Sequence, residues 1–471
     1  MASGLCNTLR DLYTSLYPLD EESTQRRLED TLLTYCDDIQ AGQIGMHWSF
    51  DWLFAPREAF ALSVGRWFEL NRSYCHITFK HQSNQGPDTK GTGVIFELKL
   101  PLHTFRYNAY HGELTIDYTG EVEYQVKRLE TSGTPGSGEG LQGQGWATVS
   151  IDKRLWRPGR PWHNSGTMEL FTEEGGDQLC AWSWSYDLSS VIDRPDYDLD
   201  VLLPILRADM IPSGNGHLIP AMRAEIAAGG TIRYTDGAEP EIEIEPEAAY
   251  LDGNFGLSSR LDSIVKDRWA WMCAPQLWAV DGTPVEHMMT FGFYQGPILP
   301  WRPPTSWSGA ILWRRSQDDM TRFSPWTLLD DVEVRFHSPS YLDVSIITFD
   351  KAYRVTVRAW SVTMTTPLST PSGRRFHDHQ DLLADAYVVI EENVVDEGQR
   401  CWRTPQWVQV DRLVTNMFGF EFGEQDRVIG TPGYPAYDAV PAMPAWFVQA
   451  LEKIPTDALG HPTKAPRLVG I

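Results

Sequence analysis

The chain has 471 residues, with 40 Lys and Arg against 63 Asp and Glu, a formal net charge of −23. That length fits two or three domains. A surface so acidic repels phosphate backbones and anionic lipid, so nucleic acid and anionic membrane are excluded as expected partners. Hydrophobic residues at 42 %, with 19 Trp, supply packed cores and exclude global disorder.

No run of about 18 apolar residues occurs, so membrane insertion through a helix is not expected. Met1–Arg10 lacks a basic region followed by an apolar run, the pattern of a secretory signal. Cys6, Cys36, Cys75, Cys180, Cys273 and Cys401 are scattered, without the close pairs of a structural zinc site. They read as reduced thiols of a cytoplasmic protein.

In chain order, residues 1–42 form a helical extension. Leu9, Leu12, Tyr13, Leu16 and Tyr17 recur at three- and four-residue spacing, and Leu28, Leu32, Leu33 and Cys36 repeat the pattern. This lead could mediate a homodimer. From about residue 45 the period shifts to two. Short extended runs are expected at 77–79, 93–100, 113–119, 121–127 (with Gly120 between the last two), 146–151, 168–171, 179–186 and 241–245. The second half repeats this at 331–336, 341–349, 353–360 and 386–391. The Gly- and Ser-rich stretch 131–145 reads as a flexible loop, and 444–454 as a short closing helix. The fold class is mainly β: two tandem antiparallel β-barrels or sandwiches with an N-terminal helical extension. The boundaries are 43–255 for the first, 256–450 for the second and 451–471 for an irregular tail.

Phosphate-loop, dinucleotide, nucleophile-elbow and paired-His zinc motifs are all absent, so no cofactor and no metal are expected. His377-Asp378-His379 is a compact run of potential ligands but reads as a polar loop. His163, after two Trp and two Pro, could line a pocket or be a hydrogen-bonded loop residue. Trp48 and Trp52, Trp182 and Trp184, and Trp269 and Trp271 come in pairs. On a strand, i and i+2 share a face, so such pairs either fill a core or line an apolar cavity with a few N–H donors. One constellation stands above these. Tyr250, Asp252, Asn254 and Gly256 alternate along an extended segment, and Trp269 and Trp271 follow. A carboxyl buried among indoles has its pKa raised by desolvation, which suits a proton donor. The alternative is an Asp/Asn/Gly turn. Asp51, Asp117 and Glu169 are further candidate acids.

The Tyr-x-Asp-x-Asn-x-Gly segment followed by Trp-x-Trp resembles the signature of the two-domain lipocalin-like (calycin) family. That family includes carotenoid 1,2-hydratases (hydroxyneurosporene synthases) and fungal decalin-forming Diels–Alderases. Leu251 and Phe255 occupy positions usually held by His and Trp, and Trp48–Phe54 resembles the aromatic opening strand. The resemblance implies two calycin-type barrels, a hydrophobic pocket and no cofactor. It also implies Asp252, Tyr250 and Asn254 as catalytic candidates, with Trp269 and Trp271 lining the pocket. Trp182, Trp184, Trp48 and His163 complete the candidate substrate-binding set. The expected function is a cofactor-independent cyclase or isomerase of secondary metabolism acting on a large apolar unsaturated intermediate, such as a terpenoid or polyketide. The alternatives are a hydratase or dehydratase of an isoprenoid-type double bond, and a non-catalytic binder of an apolar ligand.

Overall fold

A computed structural model describes residues 45–454, apart from 56, 70–71, 84–91, 109–112, 131–139, 155–161, 191–215, 228, 236–240, 258–267, 286, 296–305, 316–322, 339–340, 349–350, 362–363, 370–374 and 426–440. The helical extension 1–42 and the tail from 455 lie outside the described residues.

The described chain forms two antiparallel sheets. The first contains β1 (Gly45–Ala55), β2 (Glu58–Glu69), β3 (Arg72–Ser83), β4 (Thr92–Pro101), β5 (Arg106–Asn108), β6 (Glu113–Glu130), β7 (Gly140–Arg154), β8 (Trp162–Phe171), β9 (Gln178–Ser190), β10 (Gly216–Ile226), β11 (Thr231–Thr235), β12 (Ile242–Ile244) and β13 (Ala248–Leu257). Its path runs β10-β13-β1-β2-β3-β4-β6-β7-β8-β9, and β9 pairs back to β10, so it closes into a ring. The second sheet contains β14 (Arg268–Ala274), β15 (Leu277–Ala279), β16 (Pro284–Val285), β17 (His287–Gln295), β18 (Ser306–Arg315), β19 (Phe323–Ser338), β20 (Tyr341–Thr348), β21 (Tyr353–Ser361), β22 (Met364–Ser369), β23 (Arg375–Asn393) and β24 (Trp407–Gln425). There β24-β14-β17-β18-β19-β20-β21-β23 closes through β23–β24 pairing. The mainly β, two-sheet expectation holds.

Several strands are longer than their local pattern suggests. Residues 113–130 form one strand through Gly120, not two, because β7 pairs with it continuously from Glu113 to Lys127. The Tyr118 phenol lies where a Cβ at 120 would sit, so glycine makes room for a side chain there and makes no turn. The C-terminal part of the Gly-rich stretch, from Gly140, is strand for the same reason: a long partner is waiting. His377–His379 also lies in a strand, not a loop, held between β22 and β24.

The first ring is filled by the alternate residues of its strands, such as Ile77 and Phe79 on β3 and Phe96, Leu98 and Leu100 on β4. Every residue from Ser49 to Ala55 on β1 is buried. One face of β1 (Leu53, Ala55) belongs to the first core. The other (Phe50, Trp52, Phe54) packs with Cys273, Trp360, Met417 and Phe447 of the second half. The two buried faces differ in kind: Phe50, Trp52 and Phe54 meet the second half while Asp51 and Leu53, which alternate with them, lie on the opposite face. The contact between the sheets is close. A Cβ at Gly419 would run into the Trp52 indole, and Gln82 Nε2 donates to the Leu383 carbonyl at 3.0 Å. The closing helix α1 (Ala445–Leu451) buries Phe447, Ala450 and Leu451, at three- and four-residue spacing. Its Phe447 ring centre lies 5.4 Å from that of Trp360.

Cys75, Cys180 and Cys273 are free and buried. Cys401 is disulfide-bonded. The reduced-thiol reading therefore fails at Cys401, since spacing along a chain does not determine which thiols folding brings within bonding distance.

Candidate functional site

Three neighbouring strands of the first ring carry a polar row across an apolar wall. Lys153 on β7 stands opposite Asn164 on β8, and Asn164 opposite Tyr186 on β9. Their inward partners along the strands are core residues: Ile151, Trp162, Met168, Trp184 and Leu188. Asp51 reaches the row from β1. Its Oδ1 accepts from the Lys153 ammonium. Its Oδ2 accepts from Asn164 Nδ2 at 2.6 Å and from the Tyr186 hydroxyl at 2.7 Å. Trp184 Nε1 donates to Asn164 Oδ1 at 2.8 Å. Gly166, opposite Trp184 on β8, leaves space for that indole; a Cβ there would collide with it.

Asp51 and Asn164 are each 1 % exposed and Lys153 is 4 % exposed. Charges so deeply buried persist only when paired and hydrogen-bonded, and this network meets both conditions. Burial first, and then the negative charge of Asp51, hold the Tyr186 phenol well above its ordinary pKa. It therefore remains a protonated donor at neutral pH. Lys153 spends one of its three N–H donors on Asp51, and among the described residues no other acceptor engages it. Trp162 Nε1, on the same inward face of β8 as Asn164, is buried without a hydrogen-bond partner.

Beyond the row the interior is aromatic. Trp182 stacks on Tyr234 with ring centres 4.4 Å apart and on Phe79 at 5.4 Å. Phe60 lies 5.4 Å from Trp182, and Phe79 lies 5.2 Å from Trp184.

Trp182 and Trp184 are thus brought together inside the first ring. His163 lies on β8 between the inward residues Trp162 and Asn164 and so points to the other face. There its Nδ1 sits 2.8 Å from Asp187 Oδ1 and its Nε2 3.0 Å from Ser165 Oγ. Tyr250 is fully buried between the two sheets, its ring centre 6.3 Å from that of Trp52. The segment 250–256 is strand, with Asp252 opposite Phe50 and Asn254 opposite Trp48. Trp269 and Trp271 lie on β14 of the second sheet. The side chains of Asp252, Asn254, Trp48, Trp269 and Trp271 lie outside the described residues. Of the further carboxyls, Asp117 and Glu169 are exposed and Asp51 is buried.

Lys153, Asn164 and Tyr186 are absent from the sequence-derived candidates. Their signal was a polar residue continuing an apolar period-two face: Val149-x-Ile151-x-Lys153, Trp162-x-Asn164 and Trp182-x-Trp184-x-Tyr186. Among the described residues no three His, Cys, Asp or Glu side chains gather as a metal site, and no helix is long and apolar enough to cross a membrane.

No family model matches the chain, and no curated protein matches it. Among solved structures, the chain is similar to a Nitrosomonas europaea protein described as a "putative AttH". The identity is 9 %, covering 81 % of this chain and 92 % of that one, with a TM-score of 0.26.

Proposed function

We propose that the protein is a cofactor-independent cyclase or isomerase of the lipocalin-like Diels–Alderase kind, acting on a large apolar polyene that carries a carbonyl. The observation behind this reading is the Lys153 ammonium held by Asp51 within an aromatic interior. A carbonyl oxygen accepting from Lys153 draws electron density from a conjugated π system, which lowers the barrier to cycloaddition or isomerisation. The aromatic walls select a folded conformer with its reacting carbons close together. The unpartnered Trp162 N–H supplies a second donor. The Asp51 carboxylate already accepts three hydrogen bonds, which suits a polarising pair better than a proton donor for alkene hydration.

The test is genetic and chemical. Deleting the gene and comparing metabolites by mass spectrometry should show a precursor with the same mass as the lost product. Complementation with Lys153→Met should leave that precursor in place, while Asp252→Asn should restore most of the product. A precursor differing by one water, or full restoration by Lys153→Met, would overturn the reading.

A further inference from the structure

Each member of the polar row has a hydrogen-bond partner within it, but a second polar position inside the same ring does not. His81 on β3 shares its inward face with Ile77 and Phe79. It is 4 % exposed, and its Nε2 has no hydrogen-bond partner. Trp182, 2 % exposed, likewise has its Nε1–H buried and unpaired. Both flank one ring: the His81 and Trp182 ring centres lie 5.6 Å and 4.4 Å from that of Tyr234. Phe60, Phe79 and Phe96 close the same aromatic box. Along the strands the box is offset from the Asp51 network, since His81 aligns through Phe60 with Leu53.

A buried donor or acceptor without a partner costs the full desolvation of that group. Two such nitrogens around one tyrosine ring mark a place where a guest supplies the missing partner. The imidazole is neutral above mildly acidic pH, because burial lowers its pKa to about 4. A neutral imidazole and an indole N–H that both flank the Tyr234 ring each match a hydroxyl, which accepts from an indole and pairs with an imidazole in either tautomer. A carboxylate finds no cation in this pair.

We infer that the first ring recognises a neutral hydroxyl on its apolar ligand through His81 Nε2 and Trp182 Nε1, at a point separate from the Lys153 end. The ligand is then a long apolar molecule with two polar positions, a carbonyl at Lys153 and an alcohol at His81. The carbonyl half rests on the proposed function; the alcohol half does not.

The test uses matched probes, 1-dodecanol and dodecane, added to the full chain at pH 7.5, with binding read by Trp fluorescence and by the shift in Tm. The wild type should bind the alcohol about tenfold more tightly than the alkane, the effect of one well-made buried hydrogen bond. His81→Leu should bring that ratio to about one with Tm unchanged or raised, and Trp182→Phe should reduce it in the same direction. Lys153→Met should keep the tenfold ratio, so failure of the catalytic reading stays separable. Equal affinity for both probes in the wild type, binding of neither, or an unchanged ratio in His81→Leu would overturn the inference.

Discussion

Replacing Lys153 with methionine keeps an unbranched side chain only one atom shorter and removes its charge. Lys153 and Asp51 side chains are 4 % and 2 % exposed, so water does not screen the loss. Removing one partner of a buried ion pair costs about 3–5 kcal/mol. Asn164 and Tyr186 still donate to Asp51, and hydrogen bonds to a charged group are worth about 1.5–3 kcal/mol each. The expected loss therefore lies near the lower end, about 3 kcal/mol. Asp51→Asn alone leaves the ammonium unpaired and should cost a similar amount. The double variant, with neither charge, should fall within about 1–2 kcal/mol of the wild type, because apolar or neutral replacements of buried pairs are often close to neutral. Urea unfolding at pH 7.5, followed by Trp fluorescence and far-ultraviolet circular dichroism, gives all four corners of the cycle. The reasoning is refuted if the single costs simply add in the double variant, or if Lys153→Met loses less than about 1 kcal/mol.

Two further outcomes follow from burial. Because His81 has its pKa lowered from 6.5 to about 4 in the folded chain, the unfolded state binds more protons between those values. The resulting stabilisation is complete above about pH 6.5 and is lost as pH falls toward 4, a span worth roughly 3 kcal/mol. His81→Leu should flatten that part of the stability–pH curve, and an unchanged slope would argue against a buried neutral imidazole. Gly419→Ala sets a Cβ against the Trp52 indole and should cost about 1–3 kcal/mol by overpacking. The same change in a Trp52→Leu background should cost much less in thermal unfolding, and equal costs in the two backgrounds would place the strain elsewhere.

The sequence made the β architecture legible because most strands have one buried face, and alternation survives there. Val94-x-Phe96-x-Leu98-x-Leu100 is an example. Alternation says nothing about where a strand ends when a long partner continues the ladder, which is why residues 113–130 read as two strands and form one. It also hides which face a residue takes when both faces are buried. Tyr250 carries a phenol suited to a pocket, yet it packs between the sheets, because β13 lies next to the two-faced β1. The Trp182 and Trp184 pair was readable, since identical large residues at i and i+2 must share one face. Lys153 was harder. A lysine after an apolar run reads locally as the end of a strand, and only Asp51, 102 positions earlier in the chain, makes its burial favourable.

The Lys153–Asn164–Tyr186 alignment has a consequence for how the chain finds its fold. A slip of one residue in β7, β8 or β9 turns a whole strand inside out. The row would then lose its inward set, and Asp152, His163 or Asp187 would be carried into the core in its place. Asp152 would meet Asp51 without the ammonium that now balances it, and Asp187 would set a second carboxyl against one ammonium, arrangements the low-dielectric interior penalises heavily. A purely apolar interior of Val, Ile and Phe accepts many near-equivalent registers; one cation opposite one anion accepts one. The charge pair therefore acts as a checksum on strand pairing, setting the native register apart in energy from its one-residue slips.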